Sequence, residues 1–155
     1  METILLTLTK LRELYDFDTN MNNDQFDQYA IRVQRNSLKS LLGSDLYNDL
    51  TGGTPSIDYS ALIDPYLYNY LSAAFAVKYV IEGSLFHTNR GNFNFNQDTT
   101  QNPQSWQVKQ VSENYKQEQN NYANDIIEYL DENVSTYTLW EQNKDIQNNF
   151  SWGII

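Results

Sequence analysis

The amino-acid sequence predicts an all-α protein, a small bundle of four to five helices with a long amide-rich loop and an extended C-terminal tail. Apolar residues recur at three- and four-residue steps in several segments. Helix-capping residues and glycine or proline stops bound those segments. The chain has 155 residues, of which 40% are hydrophobic, so a single domain can bury a core without disulfides or metal.

The first two helices are predicted from leucine spacing and capping signals. The first runs over residues 7–15, where leucines recur at helical spacing. The second starts near Asn22, which is followed three residues later by Gln25, as in a capping box. It ends at Gly43, because glycine is the preferred residue just after a helix.

The next two predicted helices differ in length and in polarity. Ser44 is expected to cap a short helix over residues 45–50. Asp64-Pro65 is a start signal, because Asp caps and the missing N–H of Pro costs nothing at the first helical position. The helix predicted over residues 65–85 is apolar on most sides, which is typical of a buried helix. We interpret it as the central core helix.

Residues 86–104 are predicted to form a long loop, because they are rich in Asn, Gln, Thr and Gly. Within it, Phe93 and Phe95 alternate with Asn, a pattern typical of one arm of a β-hairpin. Loops of this length are usually functional or disordered. Ser105 is then expected to cap the longest helix, predicted over residues 106–134, with a stripe of buried apolar residues. Its members are Val108, Val111, Tyr115, Tyr122, Ile126, Tyr129 and Leu130.

The C-terminal part divides into a last helical turn with Leu139 and Trp140 and a polar segment with an apolar end. We therefore predict a helical domain over residues 1–141 and a docking tail over residues 142–155. An alternative stays open, in which the tail packs on its own domain. The predicted partner-binding residues of the loop and the tail are Phe93, Phe95, Phe150, Trp152, Ile154 and Ile155.

The charge balance limits the classes of partner. The net charge is −10, and the ten basic residues form no run, which argues against a protein that grips nucleic acid phosphates. No segment has the 18 or so apolar residues needed to cross a bilayer, and the N-terminal residues do not form a signal peptide. The twelve tyrosines exceed what one small core needs, which favours a subunit with many contacts.

A weak calcium candidate lies between the first two helices. Its oxygen-bearing side chains follow EF-hand spacing, but Met21 replaces the glycine needed for the sharp turn and a short Asp replaces the bidentate Glu. The alternative, which we favour, is an Asx-rich turn with a helix cap. The residues of this candidate are Asp16, Asp18, Asn20, Asn22, Asp24 and Asp27.

No catalytic residue or cofactor is predicted. His87 is the single histidine, and no nucleophile motif surrounds it. The carboxylates Glu128, Asp131 and Glu132 near the end of the long helix are typical of a solvated helix face rather than of a glycosidase pair. Gly52-Gly53 lacks the spacing and the lysine of a phosphate-binding loop.

The second and third helices share one pattern of residues. It reads Ala30-Ile31-x-x-Gln34-x-x-x-Leu38-x-x-Leu41-Leu42-Gly43-x-x-Leu46-Tyr47-x-x-Leu50. This pattern resembles the opening of the small helical head–tail connector (adaptor) proteins of tailed bacteriophages, in which a helix ends in a Leu-Gly step and a short Leu-Tyr-x-x-Leu helix follows. In that family a long apolar helix, a Thr-Asn-x-Gly loop and a serine-led long helix come next, and the resemblance covers residues 7–140.

The resemblance implies a structural subunit of the virion neck, assembled in the host bacterial cytoplasm. Such subunits form a ring, typically of twelve copies, between the portal protein and the tail or stopper protein. Genome DNA passes through the ring without specific binding, and no catalysis, cofactor or membrane is involved. The loop over 86–104 and the tail depart from the family pattern. An unrelated helical protein-binding adaptor module is the alternative.

Overall fold

The computed structural model describes residues 2–15, 22–86 and 105–140, with only the backbone given for 82–86 and 105. These three segments are mostly helical and contain no β-strand, which confirms the all-α prediction for them. The predicted hairpin in the long loop and the tail over 142–155 lie outside these residues.

The helices follow the predicted order along the chain. Two π-helical turns interrupt the regular helices, one after α2 and one before α6. A short helical turn over residues 138–140 ends the described chain. The bounds are α1 Leu8–Leu14, α2 Asn23–Val33, π-helical turn Gln34–Leu38, α3 Lys39–Leu42, α4 Ser44–Thr51, α5 Ser60–Leu62, π-helical turn Ile63–Leu67, α6 Tyr68–Phe86 and α7 Ser105–Glu132.

The starts of the first two helices are confirmed by their caps. The Thr7 hydroxyl accepts a hydrogen bond from the backbone N–H of Lys10 at 3.2 Å. The side-chain oxygen of Asn22 accepts from the backbone N–H of Gln25 at 2.8 Å. Each cap satisfies one backbone donor that has no partner inside its own helix.

The predicted cap at Ser44 is wrong, because Ser44 is already the first residue of α4 and Gly43 occupies the cap position. The N–H of Gly43 donates to the carbonyl of Lys39 at 3.0 Å, and its own carbonyl accepts from the N–H of Tyr47 at 3.1 Å. Gly43 has a φ of 80°, a left-handed conformation that favours glycine. One glycine therefore ends α3 and begins α4.

Asp64 marks the predicted start of the central helix. Its φ of −115° and ψ of 116° are extended, and the cis peptide bond to Pro65 follows. The sequence did not predict the helical turn α5 that precedes this kink. From Pro65 onward the helical path continues into α6, which agrees with the predicted start.

Helix α6 is the core helix of the bundle. Residues 70–76 are all buried, and the helix contacts α1, α2 and α7. The short side chains of Ser72, Ala73, Ala74 and Ala76 leave room for neighbouring helices to approach closely. Despite this apolar character, none of the described helices is long and apolar enough to span a membrane.

Ser72 is a weak point in this core. It is fully buried, and its hydroxyl has no hydrogen-bond partner among the described residues. A buried hydroxyl without a partner costs roughly 1–3 kcal/mol, and alanine has the higher helix propensity. We expect Ser72→Ala to raise the free energy of unfolding by about 1 kcal/mol in urea titrations. A lower free energy of unfolding would contradict this, and Ser40→Ala, at an exposed position of α3, is the matched control.

Helix α7 packs its predicted stripe against α6 to different depths. Ile126 and Leu130 are fully buried, whereas the other five predicted members are half-buried. Beyond α7, Trp140 is 1% exposed and its indole N–H donates to Asp131 at 2.8 Å. The core therefore extends to residue 140, next to the predicted boundary between the domain and the tail.

Candidate partner interface

The residues that the sequence assigns to partners lie outside the described chain. They are in the loop and in the tail, and their roles stay predictions. His87 also lies outside. The structure describes instead the body from which these segments leave, at residues 86, 105 and 140. The partner residues concerned are Phe93, Phe95, Phe150, Trp152, Ile154 and Ile155.

The calcium candidate is described only in its second half, since Asp16, Asp18 and Asn20 lie outside. The backbone carbonyl of Asn22, at the position that ligates calcium in an EF-hand, accepts from the N–H of Phe26 at 3.0 Å and so begins α2. Asp24 and Asp27 are exposed on α2. Among the described residues no group of three His, Cys, Asp or Glu side chains could hold a metal. These contacts favour the helix-cap alternative.

The tyrosine side chains contribute to packing within the subunit. All twelve tyrosines lie in the described segments, and none of them is exposed. Several pack in ring pairs, such as Tyr66 with Tyr129, whose centroids are 4.4 Å apart, and Tyr59 with Tyr137 at 6.0 Å. The number of tyrosines is therefore accounted for by internal packing and does not by itself indicate partners.

Three tyrosine hydroxyls donate to carboxylates that lie 10, 45 and 103 residues away along the chain. Tyr15 contacts Glu118 at 2.5 Å, Tyr59 contacts Asp49 at 2.6 Å, and Tyr47 contacts Glu2. The chain has twenty acidic but only ten basic residues, so many carboxylates have no cation to pair with. Tyrosine supplies a neutral donor for such carboxylates, here Glu118 and Asp49, whereas Glu2 also pairs with Arg35.

The pKa values of these tyrosines keep the donors protonated. Burial and the hydrogen bond to Glu2 raise the pKa of Tyr47 to about 12. Burial, followed by the bond to Glu118, raises the pKa of Tyr15 well above its ordinary value, and burial with Asp49 does the same for Tyr59. At neutral pH all three hydroxyls therefore donate rather than carry charge.

The N-terminal segment, residues 2–7, has no regular secondary structure and lies against the π-helical turn Gln34–Leu38. The N–H of Thr3 donates to the carbonyl of Thr51 at 2.9 Å, at the end of α4. Leu5 and Leu6 are buried in the core. The N-terminal residues, for which the sequence excluded only a signal peptide, are thus part of the folded body.

Gln34 holds this segment in the way that a neighbouring β-strand would. It is 1% exposed, its side-chain oxygen accepts from the N–H of Leu5 at 2.9 Å, and its side-chain nitrogen donates to the carbonyl of Thr3 at 2.9 Å. Gln34 is the first residue of the π-helical turn. Such turns are frequent at functional sites.

Glu2 connects the segment to the π-helical turn Gln34–Leu38 and to α4. One of its carboxylate oxygens accepts from Arg35 Nε at 2.7 Å, and the other accepts from the Tyr47 hydroxyl. Burial alone would raise the pKa of Glu2, but the hydrogen bonds from Tyr47 and Arg35 lower it below its ordinary value. The carboxylate is therefore charged at neutral pH.

Two open clefts flank the N-terminal segment. One, of about 390 Å³, is polar and includes Arg35 and Lys39 in its lining. The other, of about 340 Å³, combines apolar side chains of the segment and α1 with a polar rim. The second cleft is lined by Ile4, Leu6, Thr7, Leu8, Thr9, Asn23 and Asp27.

Comparison with known proteins identifies a family whose function is unknown. Residues 20–149, which include α2 through α7, match a family described as a family of unknown function, DUF6712. Comparison with the curated proteins and with the solved structures found no match. The family match spans most of the chain, and the chain therefore belongs to the DUF6712 family.

Proposed function

We propose that the protein is a head–tail connector subunit that forms a ring between the portal and the tail of a bacteriophage. The observation that supports this most is the fold of the Ala30–Leu50 pattern, on which the family resemblance rests. Apart from Ile31 and Gly43, its named residues are buried, and Gly43 makes the turn between the two helices. The pattern thus specifies a helix–turn–helix packing and not only a composition.

The helical body supports a structural role of this kind. A ring subunit needs a rigid core from which adhesive segments extend to neighbours. Here α6 and α7 pack together along the core, and the loop between them leaves next to Trp106, which is 59% exposed. Exposed large aromatic side chains are typical of protein interfaces.

The adhesive segments in this proposal are the loop and the tail. Phe93 and Phe95 pair with a neighbouring chain by strand addition. Phe150, Trp152 and the two terminal isoleucines seat in a pocket on an adjacent protein. The proposal involves no catalysis, cofactor or membrane, and the subunit acts in the virion neck.

Deleting residues 143–155 tests the proposal. We expect the truncated chain to keep its helical circular dichroism but to be lost from the complex with a cognate portal ring, measured by native mass spectrometry. The full chain should add in near-twelvefold stoichiometry. A full-length variant with Phe150→Ser and Trp152→Ser, which keeps the tail length, should fail in the same way. Normal incorporation of both variants would refute the role of the tail.

The second candidate function is an unrelated helical protein-binding adaptor module. The all-helical body and the open clefts are equally suited to it. The same measurement separates the two candidates, because an adaptor module would leave the portal ring unoccupied. It would bind a different partner in a small, fixed ratio.

A further inference from the structure

A local surplus of positive charge lies on the surface of an otherwise acidic subunit. Residues 28–44 contain three basic and no acidic residues, in a chain with a net charge of −10. Arg32, Arg35 and Lys39 are all exposed on α2, the π-helical turn and α3. Their spacing of three and four residues places them on one side of the helix. We call these three residues the basic stripe.

Most of the charge on the basic stripe is not neutralised within the subunit. Arg32 forms no ion pair with any residue of the described segments. Lys39 lies 5.9 Å from the centre of the Tyr47 ring and has no carboxylate partner there. Only Arg35 is paired, through its Nε to Glu2, and its side chain is still 59% exposed.

Helix α7 presents the opposite charge with the same spacing. Residues 117–133 contain five acidic and no basic residues. Asp125, Glu128 and Glu132 are all exposed, and none pairs with a cation of the described chain. They are separated by three and four residues, as in the basic stripe. We call these three residues the acidic stripe.

The two stripes lie on different helical segments of one body. Helix α6 packs against both α2 and α7, and no ion pair of the described residues joins the two stripes. Each stripe therefore stays available to another molecule. A subunit with complementary surfaces at two places can bind a copy of itself head to tail, and such contacts close into a ring when the rotation allows.

We propose that the basic stripe of one copy docks on the acidic stripe of a second copy. Subunits with a net charge of −10 repel one another at long range, so copies approach most readily where locally opposite charges meet. Complementary charges set the register and the rate of association, whereas exposed ion pairs add little affinity. The contact between two copies is argued from charge alone. That repeated contacts close into a ring rests on the proposed function.

Charge reversal in the full-length chain tests the contact. The first variant joins Arg32→Glu with Lys39→Glu and leaves Arg35 in place, because Arg35 also holds Glu2. The second joins Glu128→Lys with Glu132→Lys, and the third contains all four substitutions. Lys109→Glu with Lys116→Glu, at exposed positions elsewhere on α7, is the control that matches the first variant in charge. Circular dichroism checks that each variant folds.

Self-association is measured by sedimentation velocity at high protein concentration and low salt. Each variant is measured with and without a portal ring. We expect each reversed pair alone to weaken association roughly tenfold or more. The variant with all four substitutions should associate like the original chain, because its charges are again complementary, and so should the control. Added salt should weaken the original contact.

Three results would overturn the inference. If only net charge mattered, the second variant would associate better than the original chain, because it is less acidic. If the basic stripe served DNA, the first variant would lose DNA binding and both reversed pairs would leave self-association unchanged. An original chain that stays monomeric with and without portal would also contradict it. If the variant with all four substitutions regains self-association but the original chain does not bind the portal ring, only the proposed function is refuted. The contact between the two stripes would then stand.

Discussion

Replacing Trp140 with alanine is expected to lower the free energy of unfolding by about 3–5 kcal/mol, as measured by urea titration. Trp140 is almost completely buried, and its indole N–H and backbone N–H donate to Asp131 and to the carbonyl of Tyr137. The alanine variant loses apolar burial and leaves a cavity. A loss of this size is a large part of the 5–15 kcal/mol that stabilises a typical domain.

Trp106→Ala is the matched control, because the same substitution is made at a side chain that is 59% exposed. It should change the free energy of unfolding by less than about 0.5 kcal/mol. Trp140→Phe keeps an aromatic ring but removes the donor to Asp131. Its decrease in the free energy of unfolding should therefore fall between those of Trp140→Ala and Trp106→Ala. Equal stability of Trp140→Ala and Trp106→Ala would show that residues near 140 do not belong to the folded core.

The helices with strong local signals were predicted within a few residues of their observed bounds. Asn22 caps α2 and Gly43 ends α3, as predicted, because each of these signals acts through hydrogen bonds or φ values of adjacent residues. The error at Ser44 has the same local origin. A serine after a glycine looks like a cap, but the left-handed Gly43 leads directly from one helix into the next.

The features that the sequence did not predict depend on contacts between distant residues. The apolar side chains at the N-terminus have no helical period, and Gln34, which hydrogen-bonds the backbone of this segment, is 29 residues beyond Leu5. Similarly, the two stripes are visible as surfaces only when exposure is known. In the sequence the basic residues form no run, and the acidic residues look like a solvated face.

From the sequence, the candidate site could be predicted only as a protein-binding surface, without the described residues that form it. Tyrosine abundance suggested many partners, but the fold places these rings in internal pairs and at carboxylates such as Glu118 and Asp49. A count of aromatic residues cannot separate an interface from a core, because both need large rings with a polar end. The basic stripe and Trp106 are better indicators of a partner, since both are exposed.

The buried amide of Gln34 should control the docking of the N-terminal segment. Gln34→Leu keeps a side chain of similar size but removes the acceptor for Leu5 N–H and the donor to the Thr3 carbonyl. Leu5 is 9% exposed, so water cannot easily replace the lost bonds. A buried polar group left without its partner costs roughly 1–3 kcal/mol. We expect a loss of this size in the free energy of unfolding.

Amide hydrogen exchange would locate the effect of Gln34→Leu. The amides of Leu5 and Thr3 should exchange much faster, because the segment opens locally before the helices unfold, while amides in α6 should change only with global stability. Gln28→Leu, at an exposed position of α2, is the matched control and should leave both amides protected. If Leu5 kept its protection in the Gln34 variant, the segment would be held by its buried leucines alone. The strand-like role of Gln34 would then be wrong.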